Sequence, residues 1–146
     1  MTLADYLKAI GVALASIVIT IIASFPMVAF YAYFIEPGHP QEFYMEAAQW
    51  IAPWSSYILG PIVFFGLNYW LAKRSPERDA MLFAIASIIF YLIVDLSIVP
   101  IMGGDMSVFL TVGMAFWFSL KVFGAILGAR LGQRRALSAN IGETSE

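Results

Sequence analysis

The chain has 146 residues, 61% of them hydrophobic and 12% charged, and it contains no cysteine. Mean hydropathy is +0.81, whereas an average soluble domain is about half apolar and about a quarter charged. Composition therefore excludes an ordinary soluble domain and reads as a polytopic membrane protein. The missing cysteines exclude disulfides, thiolate catalysis and Cys-ligated zinc or iron–sulfur centres. A formal net charge of −2 names no partner, and eight basic residues, seven of them flanking spans, are too few and too dispersed to make a nucleic-acid surface.

Spans of about 20 residues fit four times into this length, with no room for a second folded domain. Residues 1–132 read as one four-span domain, and 133–146 as a flexible polar cytoplasmic tail. Span one is Ile10–Phe34, 25 residues without a formal charge. It is too long for a signal-peptide apolar region, so it reads as retained. Its length requires tilt or a kink, and Pro26 is the expected kink.

Pro37-Gly38 ends that span. In QEFYMEAAQW, Phe43, Ala47 and Trp50 share one side, and Glu42, Glu46 and Gln49 the other. This spacing predicts a short amphipathic helix lying in the outer membrane interface. Span two is Ile51–Ala72, with Gly60-Pro61 as a second expected kink. KRSPERD at 73–79 is a charged turn, with Ser75 and Pro76 as cap and first residue of span three, Ala80–Pro100. A turn on Gly103-Gly104 follows, with Asp105 or Ser107 capping span four, about 107–128. The expected fold class is all-α: an antiparallel four-helix transmembrane bundle with a short outer interfacial helix.

Lys8, Lys73, Arg74, Arg78, Arg130, Arg134 and Arg135 flank one side of these spans. The opposite loops carry Glu36, Glu42, Glu46 and Asp105 and no lysine or arginine. The asymmetry predicts a multi-pass protein of the cell membrane with both termini cytoplasmic. Tyr31, Tyr33, Trp50, Trp54 and Tyr57 form an outer aromatic belt, and Tyr6, Tyr69 and Trp70 an inner one.

Polar residues inside the spans fall on helical faces. Span one has Ser16, Thr20 and Ser24, span three has Ser87, Tyr91 and Asp95, span four has Trp117 and Lys121, and span two has Asn68. Residues four apart stack on one helix face. Counting helical rise from the outer boundary puts Thr20, Ser87 and Lys121 at roughly 20 Å, Asn68 at roughly 25 Å and Asp95 at roughly 8 Å. A direct Lys121–Asp95 pair is therefore not expected, and Tyr91 is the step between them. A lysine inside a span costs about 3 kcal/mol on insertion scales, so it requires an explanation. Two explanations compete. Lys121 is satisfied structurally by Asn68, Thr20 and carbonyls or by reaching the inner interface, or it belongs to a polar pocket that binds or passes a proton, ion or small molecule.

The outer loop holds the single histidine, His39, with Glu36, Glu42 and Glu46 nearby in sequence. One histidine is a weak metal set, so no metal or cofactor is expected, and His39 reads first as part of a Gly-His-Pro turn. A membrane-embedded enzyme, or a structural subunit, working on lipid or quinone at that surface through Asp95, Glu36 or His39 is the alternative to a non-enzymatic protein. Gly124, Gly128 and Gly132 repeat a small-xxx-small spacing that allows close helix approach, either to span one or to a second copy of the chain. No phosphate-loop, dinucleotide, metalloprotease or nucleophile-elbow motif is present.

Overall fold

The structure, a computed structural model, describes residues 1–101 and 112–143. Four helices account for nearly all of it: α1 (Leu3–Phe30), α2 (Gln41–Arg74), α3 (Ala80–Ile101) and α4 (Val112–Glu143). Each is long and apolar enough to cross a membrane. The turn at Gly103-Gly104 and the capping of span four by Asp105 or Ser107 lie outside the described residues.

The helix ends follow local chemistry. Asp5 accepts hydrogen bonds from the Thr2 backbone N–H at 2.8 Å and the Thr2 hydroxyl at 3.0 Å, which fixes the first turn of α1. Pro26 lies inside α1 without ending it. One turn later the helix widens into a π-helical segment, Tyr31–Ile35, closed by Glu36 N–H donating to the Tyr31 carbonyl at 3.0 Å. Gly38, at φ +89°, then turns the chain.

Three expectations are corrected. The amphipathic stretch after Pro40 is not a separate interfacial helix, because it continues through Pro53 and Pro61 as one 34-residue helix. At 1.5 Å per residue α2 is about 51 Å long, more than a bilayer core requires. Secondly, α3 is capped by Asp79, whose carboxylate accepts from Leu82 N–H at 2.9 Å, and not by Ser75. Ser75 instead accepts from Arg78 N–H in the preceding turn. Finally, the polar residues after Gln133 continue α4 to Glu143 where a flexible tail was expected.

The interior combines many small and polar residues with a few large ones, Phe64 and Phe83 among them. Ala9, Ala13, Ala84, Ala125 and Ala129 are fully buried, while Ile21, Ile22, Phe25, Phe30, Ile93 and Phe123 face outward. Small residues at the seams and large aliphatic side chains outside are what close helix packing between membrane-spanning segments favours. The most extensive contact is α2 with α4, followed by α1 with α2, α1 with α3 and α3 with α4. The order around the assembly is thus α1, α2, α4, α3. On α4, Gly124, Gly128 and Gly132 lie against the carbonyls of Pro61, Phe65 and Tyr69 on α2. The rising register on both helices means that α2 and α4 run in the same direction. Any Cβ at those glycines would collide with α2 backbone, so the stripe serves the α2–α4 seam and not span one. The Gly124/Gly128 face is filled by the chain itself and is not open to a second copy.

Candidate functional site: a polar pocket between α2, α3 and α4

Three helices each contribute a pair of residues four apart to one level of the structure: Ser56 and Gly60 from α2, Tyr91 and Asp95 from α3, Trp117 and Lys121 from α4. Lys121 is 5% exposed. Its stem runs over Gly60, where the lysine Cε would lie 2.6 Å from any added Cβ. Its ammonium donates to the Tyr91 hydroxyl at 2.7 Å and to the Ser56 hydroxyl at 2.9 Å. Glycine at position 60 makes this possible, because only hydrogen stands where the stem must pass.

Asp95 is the nearby anion. It lies within electrostatic reach of Lys121 and beside Tyr91, one turn along the same helix. Among the described residues the two ion pairs at contact distance are His39–Glu36 and Arg78–Asp5, so Lys121 and Asp95 are not directly paired. Asp95 lines two cavities. The first, about 300 Å³, also includes Lys121, Tyr57 and Trp117 in its wall. Tyr57 and Trp117 stack at 5.3 Å with 6° between their planes. The second, about 170 Å³, is lined by Thr20, Ser24, Ser55, Ser56, Tyr91 and Asp95. Each exceeds the ~30 Å³ that a water occupies in the liquid. The carboxylate thus divides an aromatic-walled cavity holding the lysine from a hydroxyl-lined cavity facing α1.

The other polar residues expected in this layer separate into local roles. Thr20 borders the second cavity, and its hydroxyl donates to the Ser16 and Ile17 carbonyls, each at 2.9 Å. Ser55 bridges α2 to α1 by donating to the Thr20 carbonyl at 3.1 Å. Asn68 and Ser87 do not reach Lys121. The Ser87 hydroxyl donates to the Ala84 carbonyl at 2.8 Å and to Asn68 Oδ1 at 3.5 Å, and the Asn68 amide donates to the Phe64 carbonyl at 2.9 Å. Phe64 explains the separation. It is fully buried, one turn from both Gly60 and Asn68 on α2, and packs edge-on against the Tyr91 ring at 5.1 Å.

The outer-loop residues form a surface turn. His39 Nε2 lies 3.3 Å from Glu36 Oε2, and its ring stacks on Phe43 at 4.2 Å. Tyr44 ties the turn by donating to the Glu36 carbonyl at 2.7 Å while accepting from His39 N–H at 3.0 Å. Both side chains are about half exposed. Among the described residues no three His, Asp or Glu side chains gather as a metal site, so Glu42 and Glu46 do not join His39 and Glu36.

Of the residues expected from the sequence, the structure brings Lys121, Tyr91, Asp95 and Thr20 to this site, together with Ser56 and Gly60, which were not expected there. The signal was present: Ser56, Gly60, Phe64 and Asn68 share one face of α2 by the same four-residue spacing used for the other spans. No protein family, no curated protein and no solved structure matches the chain.

Proposed function

We propose that the chain is a non-enzymatic, multi-pass protein of the cell membrane whose pocket between α2, α3 and α4 binds or passes a proton, a small ion or a small polar molecule. In this reading the helices form an antiparallel transmembrane bundle with both termini cytoplasmic. Orientation rests on the basic flanks and on their gathering at one end of the molecule. There Arg78 pairs with Asp5 at 2.7 Å, and the Gln133 amide donates to the Pro76 and Arg78 carbonyls at 2.9 and 3.0 Å.

One observation carries the functional reading. A buried lysine is held by two hydroxyls, while the neighbouring carboxylate stays out of ion-pair contact and borders two cavities. A lysine retained only for structure would be expected to close on Asp95, since an incompletely paired buried charge is costly. Ionisable groups inside spans ordinarily mark ligand or proton sites.

The test uses the purified protein in liposomes loaded with a pH-sensitive dye, together with melting in the presence of small amines, carboxylates and zwitterions. The wild type is expected to conduct protons or to gain thermal stability from a ligand. Lys121→Leu is expected to abolish that response while still inserting in membranes. A response surviving Lys121→Leu, or a wild type with neither flux nor ligand shift, defeats the reading. A variant that merely melts higher assigns Lys121 a structural role.

A further inference from the structure

A second site lies at the other end of the α2–α4 seam. Alongside the last two glycine contacts, Phe65 and Tyr69 of α2 and Leu131, Arg134, Arg135 and Ser138 of α4 border a cleft of about 540 Å³. Phe65 and Tyr69 stack at 6.0 Å with 13° between their planes, forming a flat apolar wall. Leu131 is 41% exposed and continues the apolar side. Both arginines are exposed, and among the described residues neither pairs with a carboxylate. The Ser138 hydroxyl donates back to the Arg134 carbonyl at 3.0 Å, one turn earlier in α4.

The cleft is therefore two-sided along its length, apolar where it adjoins the spans and doubly cationic where it leaves them. That is the polarity of an acidic amphiphile. Two guanidiniums one residue apart offer forked donors to a phosphate diester, and an acyl chain finds the ring wall and Leu131. We infer that this cleft binds an anionic phospholipid, its phosphate on Arg134 and Arg135 and one chain along Phe65 and Tyr69. Basic pockets between transmembrane helices on the cytoplasmic side hold such headgroups. Charge orientation alone does not account for the arrangement, because it needs basic residues at that end but no cleft and no aromatic wall. The inference rests on the membrane reading and is independent of the Lys121 pocket.

The experiment is native mass spectrometry of the full-length protein in detergent with added phosphatidylglycerol or phosphatidylcholine. Alkaline carbonate extraction of the same preparations reports membrane integration separately. Phosphatidylglycerol is expected to bind at least about tenfold more tightly than phosphatidylcholine, and Arg134→Gln/Arg135→Gln to remove that preference. Lys8→Gln/Lys73→Gln subtracts the same charge at the same end and is expected to keep it. Should the glutamine pair fail to fold, Arg134→Lys/Arg135→Lys keeps the charge, loses the fork and is expected to weaken binding severalfold. Equal binding of the two lipids overturns the inference, as does an equal loss in the Lys8/Lys73 variant, which would indicate diffuse attraction. Displacement of phosphatidylglycerol by inorganic phosphate would assign the cleft to free phosphate and overturn it as well.

Discussion

Gly60 of α2 and Lys121 of α4 share one volume: the lysine Cε lies 2.6 Å from where a Cβ on residue 60 would stand. The atom in the way is near the end of a flexible side chain, so Gly60→Ala is expected to fold and to push the ammonium off its hydroxyl partners. The alanine contributes about 0.5–1 kcal/mol of helix stability, which offsets part of the lost hydrogen bonding. Thermal melting is expected to change little while flux or ligand response falls. Gly66→Ala, where nothing lies within 4 Å, is the control and is expected to alter neither.

Tyr91→Phe removes the hydroxyl that accepts from Lys121 at 2.7 Å. A hydrogen bond to a charged group contributes about 1.5–3 kcal/mol, and that loss is expected in the presence of the lysine. In a Lys121→Met background the same change is expected to be nearly neutral. A double-mutant cycle on melting or denaturant stability reads the difference directly. Equal effects of Tyr91→Phe in both backgrounds would show that the tyrosine acts by packing against Phe64 rather than through the ammonium.

The glycine stripe makes a different kind of contact. At Gly128 the obstructing atom is the Phe65 carbonyl oxygen, backbone that cannot rotate aside. Gly128→Ala is expected to destabilise by about 1–3 kcal/mol, the usual range for overpacking, with an unchanged oligomeric state on size-exclusion chromatography. Gly11→Ala, with open space around it, is expected to be neutral or stabilising.

At the basic end of the molecule, Arg78 Nε contacts Asp5 at 2.7 Å, while Arg78 Nη1 is buried without a partner. Asp5→Ala removes the carboxylate that holds both this guanidinium and the Thr2 N–H. It is expected to lower the melting temperature more than Lys8→Ala, which removes a nearby charge of opposite sign. Comparable shifts in the two variants would mean that the Asp5–Arg78 contact contributes nothing specific.

The sequence was most legible where one helix sufficed. Hydropathy picked out four helices long and apolar enough to cross a membrane, and four-residue spacing put Tyr91 with Asp95 and Trp117 with Lys121. The depth count set Tyr91 between Lys121 and Asp95, and the lysine ammonium donates to the Tyr91 hydroxyl. What stayed hidden needed two helices at once. The glycine stripe announces a close neighbour but not which one, and α2 receives it because its carbonyl ridge matches the glycine register. Gly60 read as a kink because the reason for its missing side chain lies on α4. Asn68 and Ser87 were counted into the lysine layer because depth along a helix ignores a ring as large as Phe64 standing between levels. The interfacial helix was separated from span two because amphipathic patterning changes at Trp50, although nothing in the backbone chemistry there stops the helix.

The register of glycines against carbonyls on α2 and α4 also fixes which wall of the pocket can give. That seam is backbone on backbone, so sliding it would drive carbonyl oxygens into α-carbons. α3 meets α2 mainly through side chains across the assembly, as Phe64 meets Tyr91. Lys121 therefore stands on the backbone-locked α2–α4 pair, while Tyr91 and Asp95 stand on α3, which packs against α1 and α4 and meets α2 through side chains.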